Sequence, residues 1–168
     1  MMARRGFLAT MAGLTAALLL GRRGEAAAVD APADPGSIQP VRLSAAEWKQ
    51  RLSAQQYRVL REAGTERAGT SPLDAEQREG DYLCAGCGLL LFASKWKYDS
   101  GTGWPSFYDV VADHIGTKED DKLFYTRTEY HCARCGGHQG HVFEDGPEPT
   151  GLRYCNNGVA LEFRPRAG

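Results

Sequence analysis

Two Cys-x-x-Cys pairs, Cys84-Ala-Gly-Cys87 and Cys132-Ala-Arg-Cys135, stand with 44 residues between them and constrain the fold of this chain more than any other feature. The two-residue gap lets two thiolates of one tight turn reach the same ion. Two such knuckles complete a tetrahedral set of four, and soft thiolates in a closed set suit zinc. Gly86, Gly88, Gly136 and Gly137 allow the tight backbone that such knuckles need. Two small disulfides, or a redox Cys-x-x-Cys, are the alternatives. Cys132, Cys135, His138 and His141 also recur every three residues, so they could form a mixed set and leave Cys84 and Cys87 as a redox pair. The matching form of the two knuckles favours the four-cysteine clip.

The chain has 168 residues, 42% hydrophobic and 24% charged, which suits one globular domain with a real core. A formal net charge of -1 supplies no basic field for nucleic acid. The N-terminus reads as an export signal. Paired Arg4 and Arg5 precede Phe7 and Leu8, a modest apolar run follows, and Ala26-x-Ala28 would be the cleavage site. Arg-Arg-x-Phe-Leu resembles the twin-arginine signature, so residues 1–28 are expected to direct export of the folded protein to the periplasm, with no stable membrane insertion after cleavage. The apolar run is too short to span a bilayer comfortably. Residues 29–41, rich in Pro, Ala and Asp, are expected to be a linker, and residues 42–168 the functional domain. Five cysteines in an oxidising compartment leave one unpaired within the chain. With four in the knuckles, that one is Cys155.

Ser44-Ala-Ala-Glu47 has the form of a capping box and predicts a short helix that buries Trp48 and Leu52. Ser53-Ala-Gln-Gln56 repeats the device and predicts a second helix, running through Tyr57 and Leu60 towards a stop at Gly64. From Gly80 onward short stretches at 82–84, 89–92, 123–130, 152–155 and 159–163 read as strands. An all-β domain with helices at its front edge follows.

Arg153, Cys155 and Asn157 are spaced by two, so an extended segment projects all three from one face. A cation beside a thiol favours the thiolate, the nucleophilic form, which makes Cys155 the candidate nucleophile. His138 and His141 are the natural acid/base partners, in Gly-rich surroundings that suit a bend. Asp145 is placed to orient one of them or stabilise its charge. Ser100-Gly-Thr-Gly-Trp104-Pro-Ser-Phe107 is a rigid turn whose indole can form the apolar wall of a small pocket.

These motifs, with Gly-His-x-Gly-His-Val-Phe-x-Asp-Gly-Pro and Gly-Leu-Arg-Tyr-Cys-x-Asn, resemble the B-type methionine sulfoxide reductases over residues 42–164. The resemblance implies a mainly β fold of two antiparallel sheets with short N-terminal helices and a structural zinc held by Cys84, Cys87, Cys132 and Cys135, far from the reacting sulfur. It implies thiol-dependent reduction of methionine-R-sulfoxide, chiefly in oxidised proteins, by a monomer. Position by position, Cys155 looks like the nucleophile, with His138, His141 and Asn157 around the sulfoxide oxygen. Arg153 and Asp145 would support them, Trp104 would receive the methyl group, and His141 would deliver the proton. The product at Cys155 would be a sulfenic acid, which a second thiol must resolve.

Thr102 stands where many members of that family carry the resolving cysteine, so the chain looks like a single-cysteine variant regenerated by a thioredoxin-like protein or a small thiol. Gly158-Val-Ala160 also replaces the Ser-Ala-Ser common after the Cys-x-Asn motif. A zinc-ribbon interaction module would explain the four paired cysteines but leave Arg153, Cys155 and Asn157 without a role. A thiol peroxidase would pass through the same sulfenic acid.

Overall fold

A computed structural model of the chain describes residues 38–122 and 125–166. The expected export signal, most of the expected linker, and Leu123 and Phe124 of one expected strand lie outside these residues. Two helices lead in, α1 (Ala45–Arg51) and α2 (Ala54–Glu62). Both capping boxes form: the Ser44 and Ser53 hydroxyls accept from the third helical N–H, and the side chains of Glu47 and Gln56 reach back to the cap N–H. The second helix ends at Glu62, two residues before the expected glycine. Ala63 takes the left-handed conformation with φ 50°, and the Gly64 N–H returns to the Arg58 carbonyl at 3.0 Å. A Cβ on Gly64 would lie 2.9 Å from that oxygen, so glycine is required there by close approach.

Nine strands follow among the described residues: β1 (Gly80–Cys84), β2 (Leu90–Ala93), β3 (Lys97–Tyr98), β4 (Ser106–Phe107), β5 (Ile115–Asp120), β6 (Arg127–Cys132), β7 (His138–Phe143), β8 (Arg153–Asn156) and β9 (Leu161–Pro165). They form two sheets, in the orders β2-β1-β9 and β3-β4-β8-β7-β6-β5, and every pairing is antiparallel. The expected mainly β fold of two antiparallel sheets with short leading helices is therefore present. Aromatic rings join the sheets. Phe92 of the small sheet stacks on Phe107 of the large one at 4.1 Å, and Tyr82 meets Phe107 edge-on at 4.9 Å. Trp48, Val59 and Leu60 close the core from the helices. Ile38 and Val41, at the end of the stretch assigned to linker, also pack against it, and the Val41 N–H bonds the Arg134 carbonyl. Among the described residues no helix is long and apolar enough to cross a membrane.

The Gly-rich stretch around His138 and His141 is a central strand, β7, not a bend. Gly140 explains both the composition and the outcome. A Cβ there would fall 1.9 Å from the Cys155 carbonyl, so only glycine lets β8 approach. The register between β6 and β7 slips between Tyr130 and His131, so that His131 pairs with His138. Such a bulge re-aims side chains. It turns His138 towards His141, with ring centroids 5.5 Å apart, and leaves Gln139 fully buried against the cysteines.

Gly140→Ala is expected to destabilise the fold by about 3 kcal/mol or more, at the upper end of overpacking costs, because the atom it would meet is backbone. Urea denaturation checks this, and a wild-type midpoint would contradict the register.

Candidate active site

Cys84 and Cys87 sit at the end of β1 and in the turn after it, and Cys132 and Cys135 occupy the same places on β6. Their sulfurs all lie within 4.8 Å of one another, with Cys84–Cys135 at 3.6 Å and Cys87–Cys132 at 3.5 Å. A tetrahedron with Zn–S bonds of about 2.3 Å has edges near 3.8 Å, so the four side chains fit zinc. All five cysteines are free of disulfides, which excludes the two-disulfide alternative in this structure. Mutual hydrogen bonding holds Cys84 well above the ordinary thiol value and Cys87 well below it, as expected of protons shared within one cluster. The Gln139 amide donates to Cys84 Sγ at 3.3 Å. Neither histidine joins the set, which excludes the mixed cysteine–histidine arrangement among the described residues.

The second cluster lies along one cross-strand row of the large sheet: Glu129, His141, Cys155 and Ser106 are successive Cα partners from β6, β7, β8 and β4. Cross-strand neighbours on one face have Cβ atoms about 5 Å apart, so the row places the thiol beside the imidazole. A cavity of about 110 Å³ opens here, lined by Thr65, Trp104, Arg127, His141, Phe143 and Cys155 together with Gly140, Asn156 and Asn157. It has room for a side chain, not for a folded segment.

The structure sorts the expected site residues by what they touch. Cys155 and His141 face each other in the cavity, with Trp104 as a wall. The Trp104 indole N–H donates to the Glu66 carbonyl at 3.2 Å, which orients the ring from the segment after α2. Asn157 lines the cavity, but both ends of its amide are engaged. Its oxygen accepts from the Glu66 N–H and its nitrogen donates to the Gln139 carbonyl, each at 2.9 Å. His138 is buried behind His141, its Nδ1 3.2 Å from Glu129 Oε1 but off the line of a hydrogen bond. Asp145 orients neither histidine. It forms a two-pronged pair with Arg153 at 2.8 and 2.7 Å, and the guanidinium lies 4.4 Å over the Phe143 ring.

The carboxylate that holds a histidine is Asp120, which nothing local in the sequence singles out. Its Oδ2 lies 2.7 Å from His141 Nε2 and accepts from Arg127 at 2.7 Å. Asp120 sits in the charged run Lys118-Glu-Asp-Asp-Lys122. Only the pairing of β5 with β6, which sets Asp120 opposite Arg127, turns it inward. Glu66 is the other acid that sequence reasoning missed. It is buried, and its carboxylate accepts from the Gly158 and Val159 N–H groups at 2.5 and 3.0 Å.

Burial decides the charge states. It pushes the Cys155 thiol up more than Arg153 and Thr102 pull it down, so the thiolate expected from the neighbouring cation is not the resting form. It also lowers His141 below the ordinary imidazole range despite Asp120. The hydrogen bond from His141 holds Asp120 down at about 2. At neutral pH the resting site thus contains a thiol and a neutral imidazole, protonated on the Nε2 that faces the ionised Asp120 carboxylate.

Fold and site together define a class, a mainly β protein with a four-cysteine cluster that fits zinc and a half-buried thiol opposite a carboxylate-held histidine. The SelR domain family matches residues 52–165. Proteins described as "Peptide methionine sulfoxide reductase MsrB" are similar over most of the chain. That of Methanosarcina barkeri is 54% identical over 125 residues, 74% of this chain and 88% of that one. Those of Leptospira interrogans (52%, covering 74% and 95%) and Pseudomonas putida (48%, covering 78% and 99%) are similarly close. A solved structure, the Mis18 'Yippee-like' domain, is far more distant, with a TM-score of 0.43 and 17% identity over 54% of this chain and 100% of that one. The chain belongs to the methionine sulfoxide reductase B family.

Cys84→Ser is expected to release bound zinc and lower the melting temperature, whereas His138→Ala retains the metal; metal analysis of the purified variants decides. Acid is expected to destabilise the native site in two stages. His141 favours its neutral form in the fold, so stability falls once pH drops below the ordinary imidazole value of 6.5. The share owed to Asp120 is present above its ordinary value of 3.8 and is lost as pH falls to about 2. Glu76, Glu129 and Asp145 are also held below their ordinary values, so urea midpoints measured against pH should show the lower stage reduced, not abolished, in Asp120→Asn; an unchanged profile would contradict the pairing.

Proposed function

We propose that this protein reduces methionine-R-sulfoxide, chiefly in oxidised proteins, to methionine, with Cys155 as the attacking sulfur. The observation that carries this reading is the facing pair of Cys155 and His141 in a side-chain-sized cavity walled by Trp104. Removing a sulfoxide oxygen requires a nucleophile at sulfur and a proton at oxygen. A neutral His141, its Nε2 proton held by Asp120, has a lone pair on Nδ1 that can take the Cys155 proton and return it to the sulfoxide oxygen. The balance is simple: the cysteine sulfur is oxidised to a sulfenic acid while the methionine sulfur is reduced by the same two electrons. Zinc in the four-cysteine clip would contribute folding stability and take no part in the reaction.

Regeneration falls to an outside thiol in this reading. Four cysteines belong to the clip and Thr102 offers no sulfur, so a thioredoxin-like protein or a small thiol reduces the sulfenic acid. The paired Arg4 and Arg5 before an apolar run support twin-arginine export to the periplasm, where the protein acts as a monomer.

Turnover of separated R and S epimers of peptide-bound methionine sulfoxide tests the reaction. Wild type should reduce the R epimer alone, and Cys155→Ser should lose at least about a thousandfold, the scale of removing a nucleophile. Absence of turnover in wild type with any thiol reductant would leave a zinc-ribbon binding module in its place. Intact mass after one turnover without reductant should show one added oxygen; loss of two hydrogens would reveal an internal resolving thiol.

A further inference from the structure

The irregular point of the large sheet is Gln139. Tyr130 pairs with Gly140 and the next residue of β6, His131, with His138, so Gln139 is the extra residue of β7 and has no partner on β6. Its carbonyl turns to the other side, accepting the backbone N–H of Asn157 at 2.8 Å and the side-chain amide of Asn157 at 2.9 Å. Those two bonds fix the backbone from which the side chain starts. The side chain is completely buried, and its Nε2 donates to Cys84 Sγ at 3.3 Å. Among the described residues this is the one side-chain hydrogen bond to a clip sulfur from outside the four cysteines.

The amide is costly where it stands. Its Oε1 is buried without a hydrogen-bond partner, whereas a leucine or methionine side chain would fill similar space with no polar atom to satisfy. Packing therefore does not account for an amide at the bulge. A neutral thiol is a weak acceptor and returns little for the unpaired oxygen. A thiolate is a strong acceptor, and four thiolates around one divalent ion leave the cluster with excess negative charge.

Cys84 is the sulfur with the greatest need of a donor at this knuckle. It is fully buried and has no contact with water, while Cys87 is only half-buried. The arginines beside the clip act from further out, through backbone: Arg61 donates to the Cys135 carbonyl at 2.8 Å and Arg134 to the Cys87 carbonyl at 3.4 Å.

Taking the clip as the zinc site that its geometry fits, we infer that Gln139 is a metal-retention residue whose amide donates to the metal-bound Cys84 sulfur. The bulge in β7 exists to deliver that amide, with Asn157 holding its backbone in place. Donation to the sulfur spreads the negative charge of the cluster onto the amide dipole and slows the loss of Cys84 from the metal. The inference rests on the clip holding a metal and on no reaction at Cys155.

Metal retention and the electronic spectrum of the clip test this without any sulfoxide. Zinc-loaded Gln139→Leu and Gln139→Met should give up the metal to a chelating dye at about a tenth of the dye concentration that strips wild type, the lower end of the effect of removing a ligand's hydrogen-bond partner. An amide that only filled space would predict the opposite: either apolar chain would hold zinc as well as wild type or better, because the unsatisfied oxygen is gone. With cobalt(II) in the clip, the sulfur-to-metal charge-transfer band should move to longer wavelength in both variants, since a sulfur without its donor gives up electron density more readily. Retention equal to or above that of wild type, or a band that does not move, overturns the inference. A wild-type chain that takes up neither zinc nor cobalt overturns the clip and the inference together. Failure of the reductase reading would appear in the epimer experiment and leave this result standing.

Discussion

The four-sulfur clip is the constraint on which the other parts depend. It ties the turn after β1 in the small sheet to the turn after β6 in the large one, and the two sheets share no strand. The aromatic seam of Tyr82, Phe92 and Phe107 fills the space that the clip closes. When zinc occupies such a site its binding free energy, of order 10 kcal/mol, becomes folding free energy. For a domain with a modest core that is comparable with the whole net stability of a typical fold.

From the clip to the cavity beside Cys155 is a matter of a few residues. The turn that carries Cys135 feeds β7, where the slip in register buries Gln139 against Cys84 and aims His138 at His141. The Gln139 carbonyl accepts both the backbone and the side-chain N–H of Asn157, just past the strand that carries Cys155. Glu66, from the helical lead-in, secures the same turn through Gly158 and Val159. The segment after α2 therefore supplies, through Glu66, the acceptors that fix Trp104 and the turn after β8. Within the site, burial outweighs local charge, leaving Cys155 and His141 both neutral in spite of Arg153 and Asp120. Such a site holds a thiol at rest, not a thiolate.

Much of this was legible in the residues. Both helices were visible in their capping boxes, because a cap is a local hydrogen-bond pattern written into four consecutive positions. The clip was visible because ligand spacing is local within each knuckle and the chemistry of four thiolates is restrictive. The i, i+2 spacing of Arg153 and Cys155 placed them on one face, as β8 does. What stayed hidden was non-local. Glycines around His138 imitate a bend, whereas Gly140 is there because another strand's carbonyl needs the space. Asp145 is near the histidines in sequence yet pairs with Arg153, and Asp120, 21 positions before His141, holds the imidazole.

The sequence by itself determined the four clustered cysteines, the helix starts and the family, since each depends on residue types at short, fixed spacings. Only the tertiary structure decided which carboxylate serves His141, which way His138 points, and whether Cys155 rests as thiol or thiolate. The physical reason is the same in every case. Strand register brings together residues that the chain keeps apart, and burial, which exists only once the sheets have closed, sets the protonation of what they enclose.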